Sequence, residues 1–203
     1  MSRIESVEQL RTIYRQPKEL AAKKVIPRLE AHSKRIIELS PFLVISTMGE
    51  DGIADVSPRG DAPGFVQVID DETIAIPDRP GNNRLDTLTN ILGNPSVGTI
   101  FFVPGVDEVL RINGNAELRD NAELRERFEV RGKLPASVIL VKTKEIYLHC
   151  AKAILRAGLW DTSVQIDRKS LPTIGQMIVD QIGGDRPTQS HEDVKREYEK
   201  VLY

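Results

Sequence analysis

Residues 42–60 read FLVISTMGEDGIADVSPRG, and the fold turns on this stretch. Two β-rich runs flank GEDG, whose glycines and acids suit a tight turn, so the segment reads as a hairpin. Working outward toward higher numbers, a Gly/Pro loop leads to FVQVI at 65–69, and Asp70-Asp71 turns the chain into TIAIP at 73–77. These runs predict an antiparallel meander. NNRLDTLTNILGNP at 82–95 breaks it with a helix, because Leu85, Leu88, Ile91 and Leu92 share a face and Gly93-Asn94-Pro95 ends it. Two further strands follow, SVGTIFFVP and EVLRINGNAEL. Asp120 with Glu123 then gives a capping pattern for a helix to about Val130, and SVILVKTKEIYLHC is a last long strand leading into AKAILRAGLW. On the other side, Pro27 suits a first helical turn, and Leu29, Ile36, Ile37 and Leu39 form an apolar stripe stopped by Ser40-Pro41. Strands at short spacing with one helix between them fit a small six-stranded antiparallel barrel, mainly β with flanking helices, better than a parallel βαβ sheet.

At 203 residues, 40% hydrophobic and 29% charged, the chain has room for one well-cored domain with additions at its ends. The expected division is a helical extension over 1–40, a barrel core over 42–160 and a helical tail over 170–203. In the tail, SLPTIGQMIVDQIGG offers an apolar-faced helix, and HEDVKREYEKVLY a charged helix capped at Ser190 with Asp193 three residues on. A net charge of -2 supplies no overall field for nucleic acid or an anionic membrane. Cys150 is the lone cysteine, which excludes an intrachain disulfide and suits a reducing compartment. With no long apolar run, the expected location is the cytoplasm. His32, His149 and His191 lack metal-ligand spacing, so no metal is expected. His149 and Cys150 are strand neighbours that point to opposite faces, which argues against a thiolate dyad.

Three segments carry candidate chemistry. In IPDRPGNNR, residues 76–84, a strand ends and a helix begins with amides and a guanidinium close together, an arrangement that favours an anion; a plain strand-to-helix turn with an exposed Arg is the commoner reading of such residues taken alone. In VSPRGD, residues 56–61, Arg59 sits at a strand end and is either a second cation for that anion or an ordinary turn residue. In LRING, residues 110–114, alternation sets Arg111 opposite Leu110 and Ile112, facing a cavity or solvent.

In this order, FLVIST-x-GEDG-x-ADVSPRG, then TIAIPDRPGNNRLDTLTNILGNPSVGTIFF, then VLRINGNAEL resemble the FMN-binding split barrels of the pyridoxamine 5'-phosphate oxidase family, over about residues 40–120. The resemblance implies FMN as cofactor and a homodimer with cofactor sites at the subunit interface. It implies that Arg59 approaches FMN from its strand end, that Ile76, Pro77 and Asp78 lie along the ring, that Asn82, Asn83 and Arg84 hold the phosphate, and that Arg111 contacts the flavin or the phosphate-side pocket. HCAKAILRAGLWD resembles a later feature of one branch of the family, which adds Lys152, Arg156 and Trp160; a dimer-interface helix with solvated charges is the competing reading. Val109 stands where many relatives have Gln, Gln67 lies near the place of a phosphate-binding Lys, and the family's arginine motif after Trp160 is missing. The function implied is an FMN-dependent oxidoreductase acting on an unidentified small molecule, with a non-catalytic flavin- or haem-binding protein and a deazaflavin-dependent reductase as alternatives.

Overall fold

The computed structural model describes residues 3–185, 187 and 189–203. Seven strands form one antiparallel sheet: β1 (Phe42–Met48), β2 (Ala54–Gly60), β3 (Gln67–Asp70), β4 (Thr73–Asp78), β5 (Ser96–Phe102), β6 (Val109–Arg119) and β7 (Ser137–His149), in the order β2-β1-β5-β6-β7-β4-β3. The strand count is one above the expected six, because the four-residue β3 forms its own hairpin with β4 and adds an edge. Helices flank the sheet: α1 (Val7–Ile13), α2 (Glu19–Lys23), α3 (Ala31–Leu39), α4 (Asp86–Gly93), α5 (Ala122–Glu126), α6 (Lys152–Ala157), α7 (Ile174–Ile182) and α8 (His191–Lys200). This is the mainly β split barrel with flanking helices that the sequence predicts. Among the described residues, no helix is long and apolar enough to cross a membrane.

Alternation along the central strands separates an inner from an outer face. Leu43 and Ile45 of β1, Phe101 of β5, Ile112 of β6 and Ile146 of β7 are fully buried, and Ile37 of α3 packs into the same cluster. Between them, Val44, Ile100 and Arg111 align across three strands on the opposite face, where each stays only half-buried. The β6–β7 ladder shifts register between Asn113 and Gly114. At that bulge a Cβ on Gly114 would be driven into the Lys142 carbonyl, so the glycine is required for close backbone approach.

At β2 the same alternation ends the barrel. Leu43 pairs with Arg59 and Val44 with Pro58, so Arg59 lies on the core side of the sheet and Pro58 on the outer side, on a strand that has β1 as its one neighbour.

Two local expectations are corrected. Pro27 does not open a helix: Ile26 makes a two-way backbone bridge to Ile146, and the Pro27 carbonyl accepts from Thr143, which hold this stretch extended against β7. α3 starts instead at Ala31, where the Glu30 carboxylate accepts from the His32 and Ser33 amides, the work of an N-cap. Nor does the Asp120–Glu123 pattern cap α5, whose N-cap is Asn121 without a side-chain bond; the helix ends at Glu126 as Phe128 turns in to pack with Ala75 and Val138. The Ser190–Asp193 capping box does form at α8.

Candidate functional site

The expected residues fall into three places. The first is the seam between the β2 edge and the end of β4. Arg59 Nη1 donates to Asp78 Oδ1 at 2.5 Å, with side chains 18% and 14% exposed. Beside this pair, Arg79 Nε donates to Asp61 Oδ2 at 2.8 Å, and Arg79 Nη1 donates to the Phe128 carbonyl at 2.8 Å. Arg59 Nε is buried and has no hydrogen-bond partner among the described residues. An orphaned buried donor costs about 1–3 kcal/mol. Ile76, in the strand that ends here, is fully buried in the core, and Pro77 after it is buried as well; their side chains are covered in this chain, which leaves Asp78, 14% exposed, as the reachable end of the strand.

Asp61 is tuned by the same cluster. Burial alone pushes its carboxyl up, but hydrogen bonds from Tyr203, the Ala62 amide and Arg79, with the charge of Arg79, outweigh burial and hold it below the usual carboxylate range.

The second place is the start of α4. Asn82 and Arg84 are exposed; the Asn82 side chain accepts from the Arg84 amide, and Arg84 Nε donates to Asp86 Oδ2 at 2.7 Å. Asn83 and Leu85 have φ of 59° and 62°, a left-handed backbone that costs a Leu about 1–2 kcal/mol. Strain of this kind gathers where a loop is shaped for a ligand. The chemistry here is mixed. Asp86 sits in the first helical turn and Asp55 accepts from the Thr87 hydroxyl, so two carboxylates already use the field that an anion would use.

The third place is the outer face. Val44, Ser46, Gly98, Ile100, Arg111, Asn113 and His149 line a hollow of about 330 Å³. Gly98 keeps it open, since a Cβ there would come within 3.3 Å of Asn113 Oδ1. Arg111 lies 5.1 Å from the centroid of the Tyr147 ring, and Lys24 lies 5.5 Å from the same centroid, an arrangement that orients two cations without neutralising them. Asn113 is fixed by donating to Glu145 at 2.9 Å. Lys152 and Arg156 of α6 are exposed. Trp160 is half-buried, its indole N–H donating to the Val106 carbonyl at 2.9 Å, so it ties the segment after α6 to the β5–β6 loop.

Residues 29–150 match the family described as pyridoxamine 5'-phosphate oxidase. The chain belongs to that family. It is also similar to HupZ from Group A Streptococcus, at 18% identity over 59% of this chain and 93% of that one with a TM-score of 0.49. Two more such structures are general stress protein 26 from Bacillus anthracis, at 17% over 56% and 88% with a TM-score of 0.43, and an FAD binding protein from Mycobacterium smegmatis, at 18% over 61% and 97% with a TM-score of 0.42. No functionally curated protein matches the sequence.

Within this member of the pyridoxamine 5'-phosphate oxidase family, the geometry joins Arg59 to Asp78 and gives Arg111 its own hollow. It leaves Arg84 with Asp86. Sequence reasoning missed Lys24, Tyr147 and the lining residues Val44, Ser46, Gly98 and Ile100. The signal for the strand residues was present, since alternation from Leu43 and Ile45 places Val44 and Ser46 outside; Lys24 had none, because its position depends on the Ile26–Ile146 bridge.

Proposed function

We propose that this protein is an FMN-binding flavoprotein that works as an oxidoreductase on a small molecule, assembled as a homodimer in the cytoplasm with each cofactor held between two copies of the chain. One observation carries the reading. Arg59 and Arg111, the two strand arginines that the family resemblance assigns to one cofactor, lie on opposite faces of the same sheet. A cofactor that meets both is reached most simply by the seam of one copy and the hollow of another. The outer face supports this, because Phe42 and Val56 remain 40% and 64% exposed on it and would gain from burial against a partner. The hollow is at the lower end of the roughly 300–1,000 Å³ typical of a complete small-molecule site, as half of a shared site should be.

The residues present suit FMN in donor chemistry. Arg59 Nε needs an acceptor, Arg111 and Ser46 offer polar contacts to a ring edge, and Val44 with Ile100 provides an apolar bed. Asn82, Asn83 and Arg84 are the proposed phosphate ligands, and Asp86 is their competitor for the guanidinium. When bound, FMN supplies the two-electron redox chemistry. The chain positions it: Arg111, oriented by Tyr147, sets charge near the ring, while His149 lines the same hollow for a substrate to meet.

The test is subunit complementation. Arg59→Gln and Arg111→Ala, each purified alone, should lose flavin; mixed and refolded together, they should regain one intact site per heterodimer and with it flavin absorbance. Light scattering should give about 45 kDa, twice the 22.7 kDa chain. A flavin-loaded monomer, or mixtures that recover nothing while both variants stay folded, would overturn the proposal. Bleaching of bound flavin by an added reductant, followed by return in air, separates an enzyme from a store.

A further inference from the structure

Tyr203 reaches back 142 residues in sequence to donate its phenol O–H to Asp61 Oδ1 at 2.6 Å. Asp61 is 3% exposed and holds Arg79 with its other oxygen. The guanidinium carbons of Arg79 and Arg131 each lie 5.4 Å from the centroid of the Tyr203 ring. A buried carboxylate for the hydroxyl and two cations for the π-system make a complementary receptor for a phenol. Arg131 takes a left-handed φ of 53° to present itself. Among the described residues, the segment so held has little other anchorage: α7 and α8 bury no residue, and Tyr198, Val201 and Leu202 are 57%, 62% and 54% exposed.

From this geometry we propose that Asp61, Arg79 and Arg131 form a phenol-accepting site at the barrel seam, that Tyr203 of the same chain is its tethered ligand, and that this one side chain latches α8 onto the barrel. The latch lies next to the Arg59–Asp78 pair, as Asp61 and Arg79 flank those residues in sequence. It does not depend on the flavin reading. Because one charge-assisted hydrogen bond and two ring contacts hold the tail, the latched state is exchangeable, and a free phenol fits the same receptor once Tyr203 is removed.

Hydrogen exchange on the full chain, with peptides over 190–203, 61–66 and 137–149, tests it. Tyr203→Phe keeps the ring and loses the hydrogen bond, so exchange in 190–203 should rise about tenfold; Tyr203→Ala should raise it further. Peptide 137–149 should remain protected in both, showing an intact barrel. Millimolar N-acetyltyrosinamide added to Tyr203→Ala should slow exchange in 61–66, and N-acetylphenylalaninamide, which lacks the hydroxyl, should slow it less. Wild-type exchange of 190–203 in Tyr203→Ala overturns the latch. Failure of N-acetyltyrosinamide to protect 61–66, or equal protection by both amides, overturns the phenol site.

Discussion

The seam and the outer face hold arginines of the same apparent kind, yet they are built on opposite plans. At the seam, Arg59 and Arg79 are mostly buried and each is matched by a carboxylate. On the outer face, Arg111 is half-buried against an aromatic ring beside an open hollow. The first arrangement ties the two sides of the split barrel together and leaves one buried guanidinium nitrogen, Arg59 Nε, without a partner among the described residues. The second keeps a whole positive charge available. A strand arginine faced by an acid thus holds the fold together whatever else it meets, whereas one without an acid adds little to the fold, and stability effects should separate accordingly.

The largest effect should come from the bulge in the β6–β7 ladder. Gly114→Ala forces a methyl into the Lys142 carbonyl and should cost about 3 kcal/mol or more by overpacking, seen as a fall in denaturant midpoint. Next comes Asp78→Ala at the seam, which leaves the Arg59 charge without its partner; because the pair keeps some solvent contact, about 2–3 kcal/mol is expected. Arg111→Ala should shift stability by no more than about 1 kcal/mol, the scale of a cation–π contact, while weakening flavin binding enough to lose the flavin on purification. Similar stability losses in Asp78→Ala and Arg111→Ala would erase the distinction between the two regions.

How much of this was legible in the sequence follows from the range of the interactions. Strand alternation is local, so the meander, its faces and the outward placement of Arg111 could be read from residues 42–119. The Ser190–Asp193 box was legible for the same reason. The partners of Arg59, Arg79 and Arg84 were not. Asp78 and Asp61 were in view as members of the motifs, but nothing in their spacing says that 19 and 18 residues of chain bring them back to the seam arginines. The acidic neighbour of Arg84 is two residues away, and only the turn of the backbone at Asn83 and Leu85 decides that the two meet.

Acid titration sharpens the comparison further. Asp61 has a folded value depressed below its ordinary 3.8, so its contribution to stability is present above about pH 4 and is lost as pH falls through the depressed folded value. Thermal melts of the wild type should therefore drop below pH 4, and in Asp61→Asn that part of the slope should flatten; an unchanged slope would remove Asp61 from the clamp. The smallest stability effects belong to the exposed cations. Lys152→Ala and Arg156→Ala should leave stability unchanged, and pyridoxamine 5'-phosphate turnover is expected to be weak or absent with or without them. Turnover within the usual enzyme range of about 1–10³ s⁻¹ that either variant abolishes would assign these residues a phosphorylated substrate. For Arg84→Ala, FMN affinity should fall about tenfold while riboflavin affinity stays constant, measured by fluorescence quenching.

The proline within β2 bears on how copies of this chain avoid the wrong kind of contact. The Asp61 amide donates to the Pro41 carbonyl on the β1 side, so by alternation the amide position of residue 58 faces the open edge. A proline there has no N–H to offer. A strand from another molecule that tried to extend the sheet at β2 would find its hydrogen-bond ladder interrupted at the middle rung, which disfavours runaway edge-to-edge polymerisation and ordered aggregates grown from this side. Growth of the sheet from the β2 edge is thereby checked by a single residue.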